Sequence, residues 1–302
     1  MWKKQQKEKK WMKKIIGCIN KKGGCGKTTS LMALADGLAM RGEKILIVDL
    51  DSQMNISKGY GDLHLSPYSM YNVICDKGFN IYDAICSVPK EYFSDVELKG
   101  KVDIIPANSN VDRLQEEMNK MMRKEERLLR ALQKLNGEDY DYILIDTGPL
   151  PVTDIVVTNA MVASDEILVP TKLEVFSTTG IELIYPRIEQ LVEEELNPEL
   201  KINGILCTQI DSRRKKTNGE IYEKLLEYAN KKGIYVYENY IRDLEGVVSN
   251  QKNNKTIYTP NIYTRKTLKK NGEEVVKTFT SQTEIAKDYK AFVDEFLERG
   301  NE

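Results

Sequence analysis

Residues 15–29 read IIGCINKKGGCGKTT, an apolar run that leads directly into a glycine-rich segment. The apolar run is typical of a strand buried on both faces. The glycines leave room for backbone N–H groups to close around phosphate, and the helix expected next adds its positive end. Lys27 can reach the β- and γ-phosphates, and the Thr28 hydroxyl can ligate Mg²⁺. This stretch therefore predicts a phosphate loop.

The loop departs from the usual pattern G-x-x-x-x-G-K-[ST] at its first position. Lys21 stands where the first glycine belongs, and Lys22 is a second lysine that an ordinary phosphate loop does not need. The segment is either a damaged phosphate loop or a variant in which the additional lysine has a role.

The rest of the chain alternates between strand and helix patterns. Repeated units of this length predict an α/β fold with a doubly wound, mostly parallel sheet. Apolar strand patterns lie at 15–19, 44–51, 101–108, 140–149, 165–172, 202–211 and 234–241. Helix patterns lie at 28–40, 111–135, 174–195 and 218–232, with short helical turns in 69–78 and 80–88.

The ends of the chain interrupt this alternation. Asn271-Gly272 between two extended runs predicts a β-hairpin insertion at 255–282, and an amphipathic helix is expected at 283–299. Residues 1–11 form a basic extension, either a solvated tail upstream of a start at Met12 or an arm that contacts DNA or acidic lipid. We expect residues 12–302 to form a single domain that contains the phosphate loop.

Composition narrows the possible functions. The chain has 302 residues, a formal net charge of −1, five cysteines and one histidine. Because no two cysteines form a C-x-x-C pair, a zinc site, an intrachain iron–sulfur cluster and a Cys/His nucleophile are disfavoured. No apolar run is long enough to span a bilayer. These features predict a cytoplasmic protein with reduced thiols.

Three aspartates follow buried strands near the predicted phosphate loop. Asp146 ends the strand ILID and is a candidate for a Walker-B-type carboxylate that holds the Mg²⁺ hydration shell. Asp49 and Asp51 lie two residues apart, so they share one side of an extended segment. A carboxylate there can orient or deprotonate an attacking water, although capping of a loop is the alternative.

Four segments together resemble the ParA/MinD family of deviant-Walker ATPases, with the strongest similarity to ParA (Soj-like) partition proteins. They are KGGCGKTT (22–29), DLDSQMN (49–55), YDYILID (140–146) and ASDEILVP (163–170). The resemblance implies a P-loop fold and a homodimer that closes around two ATP·Mg²⁺. It also implies weak ATPase activity, stimulated by a ParB-type centromere-binding protein.

The resemblance assigns roles to individual residues. Lys22 matches the signature lysine that crosses the dimer interface to the other subunit's nucleotide, and Asp51 matches the water-activating residue. The implied catalytic residues are Lys22, Lys27 and Asp51, and the implied magnesium residues are Thr28, Asp51 and Asp146. The implied ATP-binding residues are Gly23, Gly24, Cys25, Gly26, Lys27, Thr28 and Thr29.

Three positions depart from the family pattern. Ser52 replaces a proline, and Thr147-Gly148-Pro149 replaces x-P-P after the Walker B strand. The I-P-R-N loop on the adenine side becomes Ile241-Arg242-Asp243. These changes leave the phosphate chemistry intact, and Thr208 and Asp211 become the adenine-side candidates by their position.

In ParA-like proteins the ATP-bound dimer binds nonspecific DNA and associates with the nucleoid. The candidate residues here are Arg213, Arg214, Lys215, Lys216 and Arg242. The first four are expected in one loop after a strand. Such contacts would be phosphate-based and salt-dependent.

The main alternative is a MinD-like ATPase that cycles on membranes, which needs a C-terminal helix with a basic polar face. The acidic residues of the final helix disfavour it, so no stable membrane association is expected. A cluster-carrying reductase of the nitrogenase iron-protein type would need paired cysteines. A DNA-binding adaptor without enzymatic activity would not need Lys27, Thr28, Asp51 and Asp146.

Overall fold

The computed structural model describes residues 14–174, 177–211, 215–243, 254–268 and 274–300. Within these ranges the chain forms a seven-stranded sheet and a separate two-stranded one. The strands of the large sheet are Lys14–Cys18 (β1), Lys44–Asp49 (β2), Cys86–Ser87 (β3), Lys101–Ile105 (β4), Tyr142–Asp146 (β5), Glu166–Lys172 (β6) and Lys201–Thr208 (β7).

The strand order is β3-β4-β2-β5-β1-β6-β7, and every neighbouring pair is parallel except β3 with β4. The predicted doubly wound, mostly parallel sheet is therefore confirmed. Because β1 lies between β5 and β6, the glycine-rich loop leaves from the middle of the sheet. The carboxyl ends of β2 and β5 reach the same edge, which is where α/β sheets bind ligands.

Nine helices are described. They are Lys27–Met40 (α1), Asn55–Gly59 (α2), Met70–Cys75 (α3), Leu114–Asn119 (α4), Arg127–Leu132 (α5), Ile155–Ala163 (α6), Ser177–Glu193 (α7), Lys215–Lys232 (α8) and Glu284–Gly300 (α9). Short 3₁₀ helices lie at Leu63–Leu65, Ile81–Ala84, Lys90–Phe93, Ser109–Arg113 and Lys124–Glu126. Within these ranges, no helix is both long and apolar enough to cross a membrane.

Helix α1 is buried along almost its whole length and packs against α9. At Gly37 an added Cβ would lie 2.8 Å from Val293 of α9 and 2.8 Å from the Tyr258 hydroxyl, so only glycine allows this close approach. The Ser30 and Tyr289 hydroxyls hydrogen bond at 3.1 Å. The helix that follows the glycine-rich loop is thus fixed on a rigid base.

The late insertion contains Asn261–Leu268 (β8) and Glu274–Ser281 (β9), which pair as an antiparallel ladder. The two strands agree with the predicted hairpin. Its expected turn at Asn271-Gly272 lies outside the described residues.

The predicted long helix over 111–135 is wrong, because the segment is broken between α4 and α5. Arg123 adopts a left-handed backbone conformation with φ 52°. Asn159 of α6 donates to the Lys124 carbonyl (2.7 Å) and accepts from the Leu128 N–H (3.0 Å). The side chain of a distant helix therefore satisfies the backbone groups that the break exposes.

Two further predictions need correction. Residues 234–241 run beside β7 but form only isolated bridges, at Val236 and in the adjoining Arg242. The backbone N–H groups of residues 238 and 239 donate to the buried Glu295 carboxylate of α9, so they are not available for hydrogen bonds to β7. Residues 80–88 form a 3₁₀ turn and then the edge strand β3, instead of a helix alone.

Candidate functional site

The glycine-rich loop joins β1 to α1 and exposes helix N–H groups. Gly24 and Gly26 have φ of 70° and 80°, a region that favours glycine. Gly26 is the N-cap residue of α1, and no side chain caps the helix. The first turn also lacks acidic residues. Its N–H groups and the positive helix end are therefore left for an external anion.

Lys27 and Thr28 both point into the site from the first turn of α1. The Lys27 side chain is buried, and its Nζ donates to the Lys22 carbonyl oxygen (3.2 Å). The Thr28 hydroxyl donates to Oδ2 of Asp146 (2.9 Å). These contacts hold the Lys27 ammonium and the Thr28 hydroxyl beside the loop, where the sequence pattern predicts that phosphate and Mg²⁺ bind.

Asp146 suits a magnesium ion. It is fully buried, and its Oδ1 has no hydrogen-bond partner. Burial, together with the neighbouring Asp49 carboxylate, raises the pKa of Asp146 well above its usual value. A cation beside Oδ1 would supply the missing partner and lower that pKa. The residues present thus fit Mg²⁺ held by Thr28 and Asp146, with water and phosphate oxygens completing the shell.

The two aspartates of the DLD segment have different environments. Asp49 is buried and accepts the backbone N–H of Asp51 (3.1 Å) and both the N–H (3.1 Å) and the hydroxyl (2.6 Å) of Ser57. Burial raises the pKa of Asp49 to about 6. Asp49 therefore fastens the end of β2 to α2, which matches the capping alternative.

Asp51 lies against the segment that follows β5. Its Oδ1 accepts the Gln53 N–H (3.0 Å), and a Cβ at Gly148 would lie 2.9 Å from the same oxygen. The departure from x-P-P at this position therefore makes room for the Asp51 carboxylate. The structure places Asp51 near Asp146, close enough for its charge to raise the Asp146 pKa.

Hydrogen bonds to the carboxyl ends of β6 and β7 hold the glycine-rich loop in place. The Thr208 hydroxyl donates to the Cys25 carbonyl (2.8 Å), and Gln209 Nε2 donates to the Gly24 carbonyl (2.6 Å). Asn20 donates to the Pro170 carbonyl at the end of β6 (2.9 Å). The Thr208 hydroxyl thus donates to the glycine-rich loop, and its adenine contact stays a prediction.

Sequence reasoning missed Asn20 and Gln209. The sequence offers one indication of their roles: Asn20 and Gln209 each lie just after the end of a strand, β1 and β7 respectively. Asp211 is half-buried two residues beyond Gln209, and its adenine role stays a prediction.

The thiols near the loop belong to its packing. Cys25 is buried, its Sγ lies 3.2 Å from the Lys22 carbonyl oxygen, and burial raises its pKa. Burial likewise raises the pKa of Cys18 well above its usual value. A raised pKa disfavours the thiolate, so neither thiol has the environment of a reactive cysteine.

Lys22 lies on the rim of the site. Its backbone N–H donates to Asn20 Oδ1 (2.9 Å), whereas its side chain is 41% exposed and forms an ion pair with Glu174. Glu174 lies just beyond β6 and also pairs with Lys172 (2.9 Å). The ammonium of Lys22 is therefore directed to the end of β6, while Lys27 serves the loop.

Comparison with known proteins agrees with this geometry. The AAA domain family model matches residues 13–202. The sporulation initiation inhibitor protein Soj of Bacillus subtilis is 32% identical over 203 residues, which cover 67% of this chain and 75% of Soj. The chain belongs to the ParA-like family of P-loop ATPases.

Solved structures share the fold of this ParA-like protein. Cobyrinic acid a,c-diamide synthase from Mycobacterium smegmatis, with bound ADP and magnesium, aligns with a TM-score of 0.67 and 25% identity over 80% of this chain and 92% of its own. A plasmid partition protein from Borrelia burgdorferi bound to AMPPNP aligns with a TM-score of 0.69 and 23% identity, over 95% of this chain and 99% of its own.

The predicted DNA-contacting residues of this ParA-like protein are only partly described. Lys215 and Lys216 begin α8 instead of lying in a loop, and Arg213 and Arg214 lie outside the described residues. The Arg242 guanidinium bonds Asp288 (2.6 Å) and Glu284 (3.1 Å), and these contacts raise its pKa. Its charge is thus already compensated within the chain.

Proposed function

We propose that this protein is a partition ATPase whose ATP·Mg²⁺-bound homodimer binds nonspecific DNA and releases it on hydrolysis. The observation that carries the proposal is the separation of two lysines at one phosphate loop. Lys27 is buried and bonded to the loop, whereas Lys22 is exposed on its rim. A single nucleotide site needs only the first of these cations.

The exposed lysine acts on the nucleotide of the second subunit. Charge develops on the oxygens of the transferred phosphoryl group, and a cation delivered there lowers the barrier. When Lys22 comes from the opposite subunit, hydrolysis requires a closed dimer. Turnover by the isolated chain is then slow, and a ParB-type partner accelerates it by favouring the competent arrangement.

The carboxylates take separate roles in this reaction. Asp146 and Thr28 would hold Mg²⁺, and the unpartnered Asp146 Oδ1 supports this role. Asp51 orients the attacking water. Its Oδ1 accepts the Gln53 N–H, and the absence of a side chain at Gly148 leaves space beside this oxygen. Asp49 supports the strand end through Ser57.

DNA binding belongs to the basic segment 213–216. Because Arg242 is paired with Asp288 and Glu284, it contributes less to this surface than its position suggests. Dimerisation doubles the phosphate contacts, so the ATP-bound dimer binds DNA far more tightly than the monomer.

The MinD-like alternative is weakened by the environment of α9. The apolar face of this helix packs into the core: Ile285, Ala286, Tyr289, Phe292, Val293 and Phe296 are buried. A helix used in this way cannot also present its apolar face to lipid. We therefore favour DNA over a membrane as the surface that the ATP-bound form recognises.

The test is cosedimentation of the purified chain with nonspecific duplex DNA and with anionic liposomes, each with ATP, ADP or no nucleotide. ATP-dependent DNA binding is expected, and the Asp51→Ala variant should remain bound because it forms the dimer without hydrolysing ATP. Lys27→Ala should not bind under any condition. ATP-dependent binding to liposomes, without binding to DNA, would select the membrane-cycling alternative.

A second experiment separates the two groups of arginines. Arg213→Ala combined with Arg214→Ala should weaken DNA binding and lower its salt dependence, while DNA-independent ATPase activity stays unchanged. Arg242→Ala should mainly lower thermal stability, because it removes the guanidinium contacts to Asp288 and Glu284. If Arg242→Ala instead weakens DNA binding as much as the double variant, the assignment to residues 213–216 is wrong.

A further inference from the structure

Glu174, just beyond the end of β6, is a carboxylate with no assigned role that bridges two lysines. One oxygen pairs with Lys22, and the other lies 2.9 Å from Lys172 Nζ. The hydrogen bond from Lys22 and the one from Lys172 lower the pKa of Glu174, so the carboxylate is ionised at neutral pH. We call Lys22, Glu174 and Lys172 the lysine clamp.

We propose that Glu174 is a positioning residue that holds the Lys22 ammonium away from the dimer interface until a second subunit competes for it. The proposal rests on the proposed role of Lys22 toward the opposite nucleotide. In the proposal, each monomer contains an ion pair that slows hydrolysis until the dimer forms.

The backbone geometry makes Lys22 suitable for such a switch. Its N–H is fixed by Asn20, and its carbonyl oxygen accepts from Lys27. Asn20 is itself bonded to the end of β6, the strand that leads to Glu174. Since the main chain is held on both sides, only the side chain of Lys22 can move between Glu174 and a distant phosphate.

The clamp is weak enough to open. Lys22 and Glu174 are 41% and 40% exposed, and ion pairs at this exposure shift an equilibrium by only about two- to fivefold. When Lys22 moves away, Glu174 still forms its ion pair with Lys172, so breaking the Lys22–Glu174 pair does not leave the carboxylate without a cation. Nucleotide phosphates carry more negative charge than one carboxylate, so they attract the Lys22 ammonium more strongly than Glu174 does when the dimer closes.

Two substitutions have opposite expected effects. Glu174→Gln keeps the shape and removes the charge, so partner-independent ATPase activity and ATP-analogue-induced dimerisation should rise about two- to fivefold at low salt. Lys172→Gln removes the cation that competes with Lys22 for Glu174, so both quantities should fall. Glu174→Asp keeps the charge and should remain close to the unaltered chain. Glu227→Gln removes a similar exposed pair with Lys231 on α8 and should change neither quantity.

Ionic strength provides a readout that a structural role would not move. The difference between the unaltered chain and Glu174→Gln should shrink as salt rises to about 1 M, where the Debye length is about 3 Å. Glu174→Gln combined with Lys22→Ala should be as inactive as Lys22→Ala alone, because the clamp acts through Lys22.

The outcomes distinguish this inference from the proposed function. If Lys22→Ala retains normal turnover, the proposed role of Lys22 fails and the clamp with it. If Lys22→Ala is inactive but Glu174→Gln leaves activity unchanged or lowers it in a folded protein, the clamp alone is refuted. Equal effects of Glu174→Gln at low and high salt would also contradict it.

Discussion

Replacement of Asp36 by asparagine should remove a defined part of the pH dependence of stability. Asp36 lies in α1 and is buried among hydroxyl groups. Tyr60 donates to one carboxylate oxygen (2.8 Å), and Tyr92 (3.1 Å) and Thr256 (2.6 Å) donate to the other. Burial outweighs these bonds and raises the pKa of Asp36 from 3.8 to about 7.

The sign follows from proton binding in the two states. Between pH 4 and pH 7 the unfolded chain has lost the Asp36 proton while the folded protein keeps it, so the folded state is progressively disfavoured as pH rises. A shift of about three pKa units corresponds to about 4 kcal/mol in total, or about 1.4 kcal/mol for each pH unit. Asparagine has no such titration.

The measurement is urea unfolding of the unaltered chain and of Asp36→Asn at several pH values from about 5 to 9. The stability of the variant relative to the unaltered chain should increase by about 2.3 kcal/mol between pH 5 and pH 7, by about 0.4 kcal/mol more up to pH 9, and level off there. Asp112→Asn, the same replacement at an exposed position, is the matched control. A difference for Asp36→Asn that does not vary with pH would refute the reasoning.

Three further predictions concern the site itself. Gly148→Ala places a Cβ 2.9 Å from the Asp51 carboxylate, so ATP turnover should fall at least tenfold while nucleotide affinity is kept, as steady-state and equilibrium titrations can show. Thr208→Val removes the 2.8 Å bond to the Cys25 carbonyl and should cost about 1–2 kcal/mol of unfolding free energy. Asp49→Ala removes three hydrogen bonds and should destabilise the protein by more than about 2 kcal/mol, whereas Asp51→Ala should block hydrolysis with little loss of stability. Equal stability of the two aspartate variants would contradict the division of roles.

The central sheet could be predicted because its strands are buried on both faces. The segments of β1, β2 and β5 are short, unbroken apolar runs, and this pattern is specific for parallel strands between helix layers. The phosphate loop could be predicted because its chemistry is local: the glycines, Lys27 and Thr28 are contiguous in sequence. Both results depend on information that lies within a few residues.

The parts that could not be predicted depend on contacts between distant residues. Asn20 bonds a residue 150 positions away, Lys22 one 152 positions away and Gln209 one 185 positions away. The break between α4 and α5 depends in the same way on Asn159 of a different helix. Local periodicity contains no information on such partners, which is why the helix was predicted as continuous.

The contacts divide the site into a fixed part and a movable part. Lys27, Asp146 and Asp51 are buried, and the loop between them is bonded to β6 and β7. Lys22, in contrast to these three charged residues, is exposed, and its charge is held by an ion pair that opens readily. If Lys22 acts on the nucleotide of a second subunit, as proposed, each monomer can bind ATP·Mg²⁺ but lacks one cation at the developing phosphoryl charge. Under that proposal binding and hydrolysis are separable steps, and the lifetime of the ATP-bound state is set by when the second subunit supplies the cation.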